Sequence, residues 1–458
     1  MIGDVEIFIS ASSFFVFSIV FLGTELKDFK VERRNEKYRT GAFLKGVVKK
    51  ECPALDGYFL DVGLTKEALL QEKRNCKNLK VGDSVIVQLK RKERDLKGSK
   101  VTCKVSIPGK YIVYFPETRK LNFSKKLKDF AFTEKLKKIL KEELGEKEGV
   151  IVRASAISAT KEQILKELEE LRSKWKELNE RAKKINKGIV EEGLPQFIKT
   201  ILDYWGFIKN IYVDNGDVWG EIVEFFGDSI KHKLRYVNTI ETLPGDITLN
   251  QLIDKLTSKT VWLKNGGFIV IEPTEALTSI DVNSGETCGQ SLEETAYSVN
   301  LEALKEVAKQ IKFRNLSGII VVDLIDMKKE KTKEALLSEV KKIFADEGLR
   351  IKIYGITKLG LLEITKKWES ESIYEVIGET CPQCQGRGFV KSKEFILHTL
   401  EKALEKTKGK KIVLKVHPSV AKTVEEFVNE KNLKDWITIK EVWEERLDYF
   451  QLSYSDYY

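Results

Sequence analysis

Asp281 and Asp323 are the two side chains in this chain best placed to do chemistry. Each stands at the end of an apolar, β-like run: Phe268–Ile271 leads toward the first, and Ile319–Val322 runs directly into the second. A carboxylate at the mouth of a buried strand is expected to be firmly held and poorly solvated. Two of them converging from neighbouring strands make a hard-oxygen site suited to Mg²⁺, which takes one or two carboxylates together with waters and substrate phosphate. Asn283 follows Asp281 by two residues, so on a strand it shares that face and its amide reaches the same phosphate or water. Aspartates at strand ends also act as helix N-caps and turn residues. Asp326, just ahead of a Lys/Glu-rich helix, fits that plainer role. The pair points to metal-dependent chemistry on phosphate esters. The chain has 3 His, His232, His398 and His417, all away from these segments, which argues against a metal-free histidine acid–base mechanism.

A second constellation is Cys381-Pro-Gln-Cys384-Gln-Gly-Arg-Gly388. Two thiolates on a glycine-opened turn form one arm of a tetrahedral Cys₄ zinc site. The remaining ligands come either from the scattered cysteines or from a second chain donating its own pair across a two-fold axis. A redox CxxC is the other reading, and the flanking glycines favour the zinc arm. Cys52, Cys76, Cys103 and Cys288 read as isolated thiols, which suits a reducing cytoplasm.

The elements that must carry these residues emerge from the patterning. At 458 residues, 42% hydrophobic and 33% charged, the chain is long enough for several folded domains. A net charge of +9 suits a polyanionic partner. Residues 38–116 read as all-β: 41–48, 57–62, 84–89 and 110–115 are short strand-like runs punctuated by Gly, Asp and Pro, and they suggest an OB-type barrel that binds single strands on exposed aromatics and lysines. Lys/Glu-rich helices fill 125–190, with Ile164, Leu168, Leu171, Trp175 and Leu178 forming one apolar stripe. Between the helices, Gly149–Ser155 is a strand that ends in Arg153 and Ser155, and an arginine there can grip a phosphate in bidentate fashion. Residues 259–378 alternate strands and helices, with a helix from Leu292 to about Lys312 linking the two acidic strands. A small α/β tail occupies 393–458. The apolar run Phe14–Leu22 is too short to span a membrane and reads as a buried strand, with Leu26–Val31 completing a hairpin.

Four segments resemble the catalytic region of the ribonuclease E/G family: Gly267–Gly285, Glu293–Ala303, Gly318–Met327 and Cys381–Cys384. The resemblance covers roughly residues 30–390, and lacking a long C-terminal scaffold the chain looks closer to ribonuclease G. It implies a multidomain α+β fold. An RNase H-like domain (1–37 and 195–258) is interrupted by an S1-type OB barrel (38–116) and a helical 5′-sensor region (117–194). A DNase I-like α/β catalytic domain (259–378), a zinc link (379–392) and a small C-terminal α/β domain (393–458) follow. By the same resemblance, Asp281 and Asp323 are Mg²⁺ ligands with Asn283 beside them, and Cys381 and Cys384 share one Zn²⁺ between two protomers. Phe59 and Lys97 match RNA-contacting positions, with Leu69 where a second aromatic is expected. Arg153 matches an arginine that holds a 5′-monophosphate. Ala154 stands where the family has threonine, leaving Ser155 as the candidate hydroxyl. The implied activity is Mg²⁺-dependent endoribonucleolytic cleavage of single-stranded RNA by a cytoplasmic homodimer or dimer of dimers. A non-catalytic S1-domain RNA-binding protein is the alternative.

Overall fold

The computed structural model describes residues 4–36, 38–71, 76, 79–93, 98–124, 127, 129–285, 291–384, 386–405, 411–443 and 449–454. The chain divides into two compact units, Met1–Val376 and Ile377–Tyr458.

The apolar run near the start is a strand, Phe15–Leu22. It forms an antiparallel hairpin with Glu25–Arg33 through a turn in which Gly23 takes φ 60°. Val5–Ala11 pairs antiparallel with its other edge and parallel with Ile208–Val213, which pairs parallel with Leu234–Tyr236. One sheet thus joins residues 5–33 to residues 208–236. Ile7, Ile9, Val16 and Val20 pack there against Phe197 and Ile201 of helix Gln196–Tyr204 and Val218 and Ile222 of helix Gly216–Phe226.

Residues between these halves begin with a closed five-stranded, OB-like barrel. Phe43–Cys52, Gly57–Asp61, Ala68–Gln71, Lys100–Thr102 and Ser84–Arg91 pair in succession, and Ser84–Arg91 returns to Phe43–Cys52. Strand alternation turns Leu44, Leu60, Leu70, Val87 and Val101 into the barrel interior. The run at 110–115 does not join it. Gly188–Glu191 takes the remaining edge of Phe43–Cys52, and Ile112–Phe115 pairs with Ile107–Pro108 and Gly149–Val152 in a separate four-stranded sheet completed by Lys120–Phe123. Cys76 and Cys103, expected to be isolated thiols, are disulfide-bonded.

Helix Lys161–Lys183 begins at a capping box formed by Thr160 and Gln163 and buries Ile164, Leu168, Leu171 and Leu178. Its buried Glu167 carboxylate accepts backbone N–H groups from Lys110, Tyr111 and Ile112 at 2.6, 2.8 and 3.0 Å. At its far end Lys45 of the barrel donates to the carbonyls of Ala182 and Ile185, a cation at the negative end of the helix dipole.

Six strands form the next sheet, in the order Thr260–Trp262, Phe268–Pro273, Leu277–Asn283, Gly318–Asp323, Leu361–Lys366 and Ile351–Ile356. Only Leu277–Asn283 and Gly318–Asp323 pair in parallel. Helix Leu292–Phe313 is the crossover between them, as parallel pairing requires. This helix and Glu330–Asp346 cover one face, burying Ile269, Ile280, Val282, Ile320, Val322 and Leu362. Alternation puts Asp281, Asn283 and Asp323 on the other face.

In the second unit, Ile412–Val416 lies between Ile437–Glu441 (parallel) and Phe450–Tyr454 (antiparallel), with helices Lys393–Glu405 and Pro418–Glu430. Among the described residues no helix is long and apolar enough to cross a membrane.

Candidate active site

Asp281 and Asp323 are register partners on the two parallel strands, so their Cα atoms stand about 4.8 Å apart and their carboxylates face the same way. Both residues are exposed, a correction to the expected poor solvation: the face that bears them is free of the helices. The Asn283 amide donates to Asp281 Oδ2 at 2.8 Å. Asn283 thus touches the Asp281 carboxylate directly, a contact not named from the sequence. Neither carboxylate engages in an ion pair with another described residue. Among the described residues no group of three or more His, Cys, Asp or Glu side chains forms a ready metal cage.

Three features fix the loops around this pair. Gly285 follows the strand at φ 57°, and a Cβ there would lie 2.4 Å from the Gly266 carbonyl oxygen, so only glycine allows the Asn265–Gly267 turn to close over Asn283–Gly285. Asn300 is fully buried in the crossover helix and pairs with Ile325 in both directions, donating to its carbonyl and accepting its N–H at 2.9 Å each. That clamp sits two residues past Asp323. Glu293 accepts the N–H groups of Lys328 and Lys329 at 2.9 and 3.0 Å, which hold its carboxyl below the usual range. It thereby caps helix Glu330–Asp346, which has no side-chain cap of its own. The helix-capping role expected of Asp326 belongs to Glu293. Asn300 and Glu293 were not singled out from sequence; a buried polar residue inside an apolar helical stripe was the available signal for Asn300.

The remaining predicted residues lie elsewhere. Phe59 is half-buried on the barrel, with the Lys50 ammonium 4.8 Å from its ring centroid and Leu69 as its register partner on the next strand. Lys97 falls outside the described residues. Arg153 donates to Asp203 Oδ1 at 2.7 Å, and its Nε has no partner among the described residues. Ser155, the candidate hydroxyl beside it, is 2% exposed and its hydroxyl donates to the Lys110 carbonyl, because the chain turns inward into a 3₁₀ segment at Ala154–Ser158. In the second unit, Cys381 and Cys384 are free thiols. The N–H groups of Gly388 and Gly386, with Cys381 adding to them, hold the Cys384 thiol below its ordinary value. Both glycines take positive φ, 79° and 84°, which aims those N–H groups at sulfur.

The sequence model of the Ribonuclease E/G family matches residues 106–369, a span that contains every residue of the carboxylate site. Among curated relatives, ribonuclease G of Haemophilus influenzae is 29% identical over 403 residues, covering 82% of each chain. Ribonuclease G of Escherichia coli is 27% identical over 410 residues, covering 82% of this chain and 83% of its own. Ribonuclease E of Nostoc is 31% identical over 375 residues, covering 77% of this chain and 54% of its own. The barrel is thus not that of a non-catalytic RNA-binding protein: the chain belongs to the ribonuclease E/G family and is an endoribonuclease.

Proposed function

We propose that the enzyme hydrolyses single-stranded RNA with Mg²⁺ held by Asp281 and Asp323, leaving 5′-phosphate and 3′-hydroxyl ends, in rRNA or tRNA processing or mRNA decay. The observation that carries this reading is the register pairing of Asp281 with Asp323, side by side on an exposed face. The donor set fits the ion: two carboxylates with room for water and phosphate oxygens. A bound Mg²⁺ supplies a water of lowered pKa and offsets negative charge on the phosphate. Asp281 and Asp323 present oxygens on one side of the scissile group, and Asn283 keeps the Asp281 carboxylate from rotating. Attack of water on phosphorus breaks the bond to the 3′ oxygen.

The rest of the reading follows the family. The sheet of residues 5–33 and 208–236 is RNase H-like, the barrel is an S1 domain gripping RNA through Phe59 and Lys97, and 259–378 is DNase I-like. Arg153 meets a 5′-monophosphate without help from Ser155. Cys381 and Cys384 supply half of a Zn²⁺ site shared with a second copy, making a homodimer that can pair into a tetramer in the cytoplasm. The test is cleavage of a 5′-labelled, AU-rich single strand with Mg²⁺ or with excess EDTA, followed by analysis of the ends. The reading expects cutting only with metal, and 3′-hydroxyl ends. Robust cleavage in EDTA, or 2′,3′-cyclic phosphate products, would sink it.

A further inference from the structure

Three residues form a row across the first three strands of the six-stranded sheet: Trp262 pairs with Phe268, and Phe268 pairs with Asn283. Register partners share a face, and Asn283 shares its face with Asp281, so both rings stand on the carboxylate face. Their sequence neighbours Val261, Ile269 and Val282 pack into the core on the other side. The rings rest on each other, with centroids 5.2 Å apart at 54°, which restricts the indole. Trp262 is nonetheless 71% exposed, and it belongs to none of the described cores. Lys264, in the turn that follows, is also exposed.

From strand spacing and rise, the Cα of Trp262 lies on the order of 12 Å from that of Asp281, within reach of a nucleotide neighbouring a phosphate held at the carboxylates. We infer that Trp262, backed by Phe268, is a stacking platform for a base close to the scissile phosphate, a positioning and specificity-determining pair for RNA cleavage. The inference rests on the carboxylate pair being the cleavage site. A flat, exposed ring beside carboxylates, an amide and a lysine suits a base attached to a charged backbone, which stacks without a buried apolar rim. A protein partner would bury those carboxylates unpaired at a cost. The larger face of a purine makes it the favoured occupant.

The test is a set of single-stranded RNAs carrying one abasic nucleotide at successive positions around a mapped cleavage site, cut by wild type, Trp262→Ala and Trp262→Phe. In wild type, one abasic position raises KM by roughly 5- to 150-fold with kcat little changed. Trp262→Ala raises KM by a similar factor on intact RNA and becomes indifferent to that position, as a double-mutant cycle requires for two members of one contact. Trp262→Phe regains most of the loss. Removing an exposed side chain leaves no cavity, and Phe268→Leu is a second variant, expected to give an intermediate loss. Wild-type KM and an unchanged abasic profile in Trp262→Ala overturn the platform. So does a variant altered only in oligomeric mass, which assigns the rings to a protein contact. Asp281→Asn, assayed in parallel, separates the two ideas: if it is dead while Trp262→Ala behaves as wild type, only the platform falls, and if it retains full activity, the carboxylate site falls with it.

Discussion

Asn283 spends its amide on Asp281, and this sets what its loss should do. Residues that orient a metal-ligating carboxylate typically account for 10- to 100-fold in metal affinity or activity. Asn283→Ala should therefore lower cleavage by roughly that factor and raise the Mg²⁺ concentration needed for half-maximal rate, read by titrating Mg²⁺ at fixed RNA. An unchanged Mg²⁺ requirement would put Asn283 outside the site. Asp323 was legible in the sequence because the apolar run Ile319–Val322 ends in it and strand alternation is a period-two pattern. Phe268–Ile271, read as leading to Asp281, lies instead on a separate antiparallel strand, and Asp281 stands on Leu277–Asn283. Ser155 was not legible. Whether a hydroxyl two residues past a strand-end arginine faces solvent depends on a turn held by the Lys110 carbonyl and Glu167, which come from distant parts of the chain.

At the level of elements, loops tied by single polar side chains hold the site. Asn300→Ala leaves the N–H and carbonyl of Ile325 without their partner in a partly buried setting, which should cost about 1–3 kcal/mol of stability and slow cleavage by loosening the loop after Asp323. Denaturant unfolding and the cleavage rate check the two halves. Lys366, at the end of a central strand and donating to Asn315 Oδ1 at 2.8 Å, is pushed by burial down to about 8 from the ordinary lysine value of 10.5. Between pH 8 and 10.5 the unfolded chain binds this proton more readily than the folded one, so this residue's contribution to stability rises with pH across that window. Lys366→Met should flatten that part of the pH–stability curve; an identical slope in the variant would refute the assignment. Strands and helices were largely legible here, since the crossover helix and the strands on either side announce themselves by period. The partner of a strand is a different matter: Ile112–Phe115 has the composition of a barrel strand, yet Gly188–Glu191, far along the chain, takes the open edge of Phe43–Cys52 and Ile112–Phe115 pairs with Gly149–Val152. The Cys76–Cys103 disulfide is a consequence of barrel closure, which brings together thiols 27 residues apart.

For the whole molecule, the proposed shared Zn²⁺ makes assembly depend on Cys381 and Cys384, because one chain offers two of four ligands. Cys381→Ala should release zinc and lower the mass in solution from dimer or tetramer to smaller species, while leaving Asp281 and Asp323 in place in the first unit. Sedimentation with zinc analysis reads both, and an unchanged mass with zinc retained would contradict the shared site. The proposed assembly rests, in the sequence, on an incomplete ligand set alone. A two-fold axis leaves no trace in one chain beyond the ligands it fails to supply.

The most direct measurement compares wild type and Asp281→Asn on one single-stranded RNA with Mg²⁺, recording RNA affinity and cleavage together. The account predicts that the variant binds RNA about as tightly as wild type while cleavage falls by roughly three orders of magnitude, the scale of losing several kcal/mol of metal-supplied stabilisation. Cleavage persisting near the wild-type rate in Asp281→Asn would contradict it.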